Sequence, residues 1–134
     1  MKEKYMKPEE LTPFLTLLFE KAGMGRADAE FSAECMVKTN LWGVDSHGVL
    51  RLPIYLKRVM EKVINPTPCI VPVSELDGPM ALLDGDAGMG YVVGKAGMVL
   101  AIEKAKKSKV LNRHLETEVP DSVFEELMKV IANE

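Results

Sequence analysis

Apolar side chains recur at every third or fourth position in five segments of the chain, and this spacing predicts helices. Gly23 and Gly43 follow the first two segments, and glycine commonly ends a helix because it adopts the left-handed backbone conformation without strain. Pro13 leaves two alternatives for the first helix: it bends a helix that begins at Pro8, or Thr12 caps a helix that begins at Pro13. The predicted helices cover residues 8–22, 26–41, 47–63, 90–107 and 119–134.

Between the third and fourth helices the pattern changes to two short apolar runs, at residues 69–73 and 80–83. Each run has the length of a strand, and the polar turn at residues 77–79 between them predicts a hairpin. Residues 65–68, which precede the first run, contain two prolines and favour an extended linker. We therefore predict an α+β fold, a mostly helical bundle with a small two-stranded β element, and not a Rossmann fold.

The composition is typical of one globular domain, with 134 residues, 47% of them apolar, and a net charge of −3. The sequence has no basic stripe and no apolar run of bilayer length, so we expect neither nucleic acid nor a membrane as a partner. Cys35 and Cys69 do not form a CxxC pair, and their apolar neighbours predict buried free thiols in a reducing, cytoplasmic setting. No metal site is predicted, because no cluster of histidines, cysteines and carboxylates has the required spacing.

Residues 43–55 hold the side chains that are best suited to chemistry. Ser46 and His47 lie at the predicted start of the third helix, and Arg51 and Tyr55 follow His47 at intervals of four residues. On a helix this spacing places side chains on one face. An imidazole transfers protons near neutral pH, and a guanidinium holds a carboxylate through two hydrogen bonds. The combination suits a small 2-oxo or 2-hydroxy acid.

The same residues also have a structural interpretation. Asp45 or Ser46 is able to cap the third helix, and His47 is able to bond to backbone groups of its first turn. Arg51 would then be a surface charge, and Tyr55 a core residue with its hydroxyl in water. Spacing alone favours this structural interpretation.

A glycine-rich segment at residues 85–90 follows the second strand and begins the fourth helix, as phosphate-binding loops do. However, no second parallel strand with an acidic end follows it, and the sequence lacks Gly-Lys-Ser/Thr. A tight turn from strand to helix is the better interpretation.

Residues 43–49, Gly-Val-Asp-Ser-His-Gly-Val, and residues 51–55, Arg-Leu-Pro-x-Tyr, resemble the hallmark of the type 2 malate/L-lactate dehydrogenase family. That family includes malate, sulfolactate and ureidoglycolate dehydrogenases and certain cyclic imino acid reductases, and it is distinct from the Rossmann-type enzymes. The resemblance covers most of residues 8–109. It continues through Ile-Asn-Pro at residues 64–66, Ala-Leu-Leu-Asp-Gly-Asp-x-Gly-x-Gly at residues 81–90 and Ala-Ile-Glu-Lys-Ala at residues 101–105.

The resemblance implies an NAD(P)-dependent oxidoreductase that acts on small 2-hydroxy or 2-oxo acids of the malate or lactate type. Ser46 and His47 match the family's Ser-His pair, which is implicated in proton relay to the substrate. Arg51 and Tyr55 match positions that line the substrate pocket. The family's Asn-x-His-Phe-Gly segment and a further aspartate have no counterpart here. The parent family uses NAD or NADP, and we expect this chain to bind neither.

The sequence after residue 109 departs from the family. In relatives a strand and a large cofactor-binding lobe follow, whereas here residues 110–118 lead directly into residues 119–134, which resemble the family's C-terminal helix. We therefore expect a single domain in which an N-terminal lobe at residues 1–109 and a C-terminal helix at residues 119–134 pack together across a junction at residues 110–118.

The cofactor-binding middle of the family is then missing from this arrangement. The expected function is a lobe that carries part of the substrate and proton-relay site, inactive alone and homo-oligomeric. The alternative is a non-enzymatic dimerising or interaction module derived from the same fold.

Overall fold

The computed structural model describes residues 5–74 and 80–108, which form four α-helices and an antiparallel sheet of two strands. This architecture confirms the predicted α+β class. None of the described helices is both long and apolar enough to cross a membrane. The predicted turn at residues 77–79, the junction at residues 110–118 and the helix at residues 119–134 lie outside the described residues. The elements are α1 (Pro8–Lys21), α2 (Arg26–Leu41), α3 (Leu52–Met60), β1 (Val71–Ser74), β2 (Leu82–Asp84) and α4 (Gly90–Ser108).

The packing of α1 against α2 forms the centre of the core. α1 begins at Pro8 and continues through Pro13, so the alternative start at Pro13 is wrong. Ala29 and Ala33 of α2 are fully buried, and their small side chains allow the two helices to approach closely. The other buried apolar residues are Leu15, Phe19, Met24, Met36, Val37, Val59, Met89 and Val92.

Each of the first three helices ends with one residue in the left-handed conformation. After α2, the Gly43 N–H donates to the Asn40 carbonyl (2.8 Å) and the Val44 N–H donates to the Thr39 carbonyl (3.1 Å). These two bonds satisfy carbonyls that the helix itself leaves unpaired, and they reverse the direction of the chain. Residues 45–49 therefore return to contact α2. The left-handed residues are Gly23, Gly43 and Lys62, with φ of 110°, 78° and 56°.

The third helix is shorter than predicted, because residues 45–51 are not part of it. The Val49 N–H, which an α-helix would pair with the Asp45 carbonyl, donates instead to the side-chain oxygen of Asn40 (2.6 Å). Pro53 has no N–H and therefore fits the first turn of the helix that follows. Residues 45–51 form two single turns of 3₁₀ helix, Asp45–His47 and Val49–Arg51.

The hairpin has the predicted antiparallel pairing, but its strands begin about two residues later than predicted. β1 begins at Val71, opposite Asp84. Cys69 lies before the strand because its N–H donates to the Asp86 carboxylate (2.9 Å) and not to the other strand.

Both cysteines are free thiols, as predicted, but Cys69 is exposed and its predicted burial is wrong. Cys35 is partly buried, and this burial raises the pKa of its thiol, with a further contribution from the Glu34 carboxylate. Cys35 is therefore protonated at neutral pH and is a weak nucleophile.

The linker at residues 65–68 and the glycine-rich loop at residues 85–90 bind each other. The Asp86 carboxylate accepts a hydrogen bond from the Asn65 amide (2.8 Å), and the Asn65 N–H donates to the Ala87 carbonyl (2.9 Å). A Cβ atom at Gly88 would lie 2.8 Å from Cγ of Pro68, so only glycine permits this close approach. These contacts fix where α4 begins relative to α3.

Candidate functional site

A hydrogen bond of 2.9 Å joins the Ser46 hydroxyl to Nδ1 of the His47 imidazole. Both side chains are exposed, in the 3₁₀ turn that precedes α3. The serine is the donor when the neutral imidazole carries its proton on Nε2. Within residues 5–74 and 80–108, Nε2 has no hydrogen-bond partner, so it is accessible to a ligand.

The Arg51 side chain is hydrogen-bonded to the same turn. Its Nε donates to the backbone carbonyl of Ser46 over 2.8 Å, which leaves the two terminal nitrogens of the guanidinium for other acceptors. Arg51 also occupies the cap position of α3, where it makes no side-chain capping bond. The interpretation of Asp45 or Ser46 as the cap of this helix is therefore wrong.

Tyr91 connects this turn to the rest of the site. Its hydroxyl donates to the His47 carbonyl (3.2 Å), and its ring packs edge-to-face on Tyr55 with 6.1 Å between the ring centroids. Tyr91 thus contacts both Tyr55 and His47. Because His47 and Arg51 precede α3, the prediction that they share a helix face with Tyr55 is wrong. The sequence pattern held no signal for Tyr91, which lies 44 residues after His47.

Asn40, near the end of α2, holds the turn in place. Its side-chain oxygen accepts the Val49 N–H (2.6 Å), and its side-chain nitrogen donates to the Asp45 carboxylate. A Cβ atom at Gly48 would overlap the Asn40 amide and lie 3.1 Å from the Met36 carbonyl, so the amide fits only against glycine. No periodic pattern in the sequence links Asn40 to residues 45–49, so its role could not be predicted.

Tyr55 and Tyr91 line a cleft of about 530 Å³ between α3 and the start of α4. Ser46, His47 and Arg51 lie outside its lining. The structure therefore separates the predicted site into a cleft and an adjacent exposed turn, which the Tyr91 hydroxyl connects. The lining residues are Tyr55, Arg58, Ile64, Gly88, Met89, Gly90 and Tyr91.

The Tyr91 phenol has a perturbed acidity. Burial raises its pKa, and the neighbouring Tyr55 phenol raises it further, to about 12. Tyr91 therefore remains a hydrogen-bond donor to the His47 carbonyl across the physiological pH range.

The described residues do not fit a nicotinamide nucleotide at the glycine-rich loop. Asn65 and Cys69 already donate to the Asp86 carboxylate, and Pro68 packs directly against Gly88, so the loop is engaged by its own chain. This observation supports the interpretation of residues 85–90 as a tight turn. In the described part of the chain, no group of three or more metal-binding side chains is present.

Comparison with known proteins identifies the family. The sequence model of a family described as malate/L-lactate dehydrogenase matches residues 6–111. This chain belongs to that family. The family match ends before residue 119, so the likeness of residues 119–134 to the family's C-terminal helix stays a prediction.

Two curated relatives and one solved structure illustrate the similarity. The chain is 41% identical over 109 residues to malate dehydrogenase of Pyrococcus abyssi, covering 79% of this chain and 30% of the relative. It is 41% identical over 101 residues to L-sulfolactate dehydrogenase of Methanocaldococcus jannaschii, covering 75% of this chain and 29% of the relative. Malate dehydrogenase from Pyrococcus horikoshii OT3 has the same local fold, with a TM-score of 0.71 and 36% identity, over 80% of this chain and 32% of that one. The chain thus spans about 30% of the length of the curated relatives it matches.

We predict that Asn40 and Gly48 are energetically coupled. Asn40→Ala should lower the free energy of unfolding by about 1–3 kcal/mol, since it removes two hydrogen bonds. Gly48→Ala should lower it by about 1–3 kcal/mol through overlap with the amide. In the double variant the loss should be smaller than the sum by about 1 kcal/mol, measured by urea denaturation. Gly90→Ala is the control, because a Cβ atom there meets nothing within 4 Å. Strict additivity would contradict the contact.

We predict a tyrosine ionisation at pH about 12 that Tyr91→Phe removes, measured by phenolate absorbance. Because the folded-state pKa of Tyr91 lies above the ordinary value of 10, its contribution to stability is complete below pH 10 and is lost as the pH rises towards 12. In Tyr55→Phe the step should move to lower pH but stay above 10, since burial is the larger cause. An unchanged step in Tyr91→Phe would refute the assignment.

Proposed function

We propose that this chain is a lobe of an NAD(P)-dependent oxidoreductase of small 2-hydroxy or 2-oxo acids, and that it carries part of the substrate and proton-relay site. The observation that carries the proposal is the hydrogen bond between the Ser46 hydroxyl and the His47 imidazole, in a member of the malate/L-lactate dehydrogenase family. Two of its relatives are named for hydroxy acids, malate and sulfolactate.

The proposed proton relay uses both nitrogens of His47. When nicotinamide held by the rest of the enzyme supplies the hydride to the carbonyl carbon of a 2-oxo acid, Nε2 would give its proton to the substrate oxygen, and Nδ1 would take the proton of the Ser46 hydroxyl across the 2.9 Å hydrogen bond. The exposed serine then recovers a proton from water. Oxidation of a 2-hydroxy acid moves the same protons in the opposite direction.

Arg51 and Tyr55 are the proposed substrate-binding residues. After Nε of Arg51 has bonded to the Ser46 carbonyl, the terminal nitrogens remain for the substrate carboxylate. The Tyr55 ring lines the adjacent cleft. The hydrogen bond between Arg51 and the Ser46 carbonyl supports the proposal that the substrate carboxylate binds next to the proposed Ser46–His47 proton relay.

We propose that this chain alone binds no nicotinamide and has no turnover. Two observations support the proposal: the chain spans about 30% of the length of its curated relatives, and its glycine-rich loop is engaged by Asn65 and Pro68. NAD or NADP would then be held by parts of the family beyond the matched residues.

The purified chain should not oxidise NADH or NADPH with pyruvate or oxaloacetate, because it lacks a nicotinamide site. It should nevertheless bind oxamate, a 2-oxo acid analogue, and NMR should detect this as a shift of the His47 imidazole signals. Arg51→Gln should weaken oxamate binding roughly 10- to 100-fold, the loss expected for a charge-assisted hydrogen bond.

Arg26→Gln is the matched control, since Arg26 pairs with Glu20 and not with the site. Sustained turnover by the chain would reject the proposed inactivity. Oxamate binding that Arg51→Gln leaves unchanged would reject the site assignment.

A second candidate function is a non-enzymatic module that associates with copies of itself. It is favoured by large apolar side chains that remain exposed between the end of α2 and the start of α3. The side chains of Leu41, Trp42 and Leu50 are 66%, 68% and 73% exposed. Exposed apolar groups in one region commonly drive association.

Sedimentation velocity should show a dimer or larger species that Trp42→Ser converts to monomer, because serine removes the largest exposed apolar side chain. Trp42 is the single tryptophan, so a blue shift of its emission on association reports the same contact. Phe14→Ser, at a half-exposed position on α1, is the control. A monomeric wild-type chain that binds oxamate would rule out this second function.

A further inference from the structure

We propose that an apolar groove between α4 and the two-stranded sheet is the docking site for residues 119–131 of the same chain. The sequence predicts a helix for these residues, but it does not indicate on which surface of the lobe they pack. The described lining residues of the groove and of the cleft between α3 and α4 have no member in common. The inference is therefore independent of the proposed function.

The groove has a volume of about 440 Å³, and most of its described lining residues are apolar. Ile70, Pro72 and Leu83 line it from the side of the sheet, and Val99 and Leu100 line it from α4. The side chain of Val99 is 51% exposed. A groove of this composition favours an apolar occupant, because covering it removes apolar surface from water.

Lys95 lines the groove without placing its charge among these apolar groups. Its ammonium lies 4.3 Å from the centroid of the Phe31 ring of α2, where the electron-rich face of the ring attracts it. The methylene groups of the Lys95 side chain thus add apolar surface to the groove. An apolar helix face is therefore a better occupant than a small anion.

Residues 119–131 carry an apolar stripe of matching length. A helix would place the stripe on one face over about 12 Å, and the residues of α4 that line the groove extend over about 16 Å. Recognition of an amphipathic helix by an apolar groove is common in proteins. The stripe consists of Val123, Phe124, Leu127, Val130 and Ile131.

The connection between the groove and the stripe is long enough for docking within one chain. α4 ends at Ser108, and residues 109–118 span up to about 33 Å when extended. Along α4 the distance from Ser108 back to Val92, the groove residue furthest from it, is about 24 Å. A short tether of this kind gives an effective concentration on the order of millimolar, so the stripe of the same chain outcompetes that of a second copy at micromolar concentration.

The test combines methyl-labelled NMR with amide hydrogen exchange on the full chain. Nuclear Overhauser contacts should join the Phe124 ring to the methyl groups of Val99 and Leu100. In Val99→Asp the contacts to Leu100 should disappear, because docking would bury a carboxylate among apolar groups. The amides of residues 119–131 should then exchange roughly 10- to 100-fold faster. Leu127→Asp should have the same effect from the other side of the contact.

The chain offers a matched control for each variant. Met98→Asp introduces the same charge on α4 at a residue that is 55% exposed and lies outside the described lining of the groove. Ser122→Asp introduces it on the polar side of the predicted helix. Both controls should keep the contacts and the slow exchange. Unchanged methyl signals of the buried Leu15 in all four variants would show that the core of α1 and α2 is intact.

Each other outcome overturns the inference. Equal exchange rates in Val99→Asp and Met98→Asp would show that the groove does not hold the stripe. Contacts between differently labelled copies, or protection that is lost on tenfold dilution, would show that a second copy fills the groove. A wild-type chain without contacts between Phe124 and α4 would exclude docking at this site.

Discussion

The contact between the Asn40 amide and the turn at residues 45–49 determines the geometry on which the candidate site depends. The amide oxygen takes the Val49 N–H away from the helical bond to the Asp45 carbonyl, and the amide nitrogen binds the Asp45 carboxylate. Because Gly48 lacks a side chain, the amide packs directly against the backbone. The 3₁₀ turn that results places the Ser46 hydroxyl on the His47 imidazole. A continuous helix would instead have separated the turn from α2.

The contact between the linker and the glycine-rich loop affects the candidate site through the position of α4. Asn65 and Asp86 bind each other across 21 residues of sequence, and this fixes the position of the first turn of α4. Tyr91 lies in that turn and donates to the His47 carbonyl. The family-like segments at residues 64–66 and 81–90 therefore influence the site through the position of Tyr91, without contributing a phosphate-binding loop.

The elements that the sequence predicted well are those whose ends are determined locally. Proline and acidic residues at the start of α1, and Gly43 after α2, act through their own backbone and require no distant partner. The prediction made the third helix too long, because apolar spacing does not reveal that the Val49 N–H donates to the side chain of Asn40, nine residues earlier. The candidate site residues Ser46 and His47 were predicted from local motifs, whereas Tyr91 reaches the same turn through a contact with His47, which lies 44 residues earlier in the sequence.

Ser46, His47 and Arg51 are exposed, and their exposure to water weakens the electrostatic attraction that these groups exert on a charged ligand. Two opposite charges 4 Å apart attract by about 1 kcal/mol in water, but by about 4 kcal/mol where protein partly replaces the solvent. A charged ligand on this open face would therefore experience most of the screening of bulk water. A second surface that excluded water from these groups would strengthen their attraction for such a ligand.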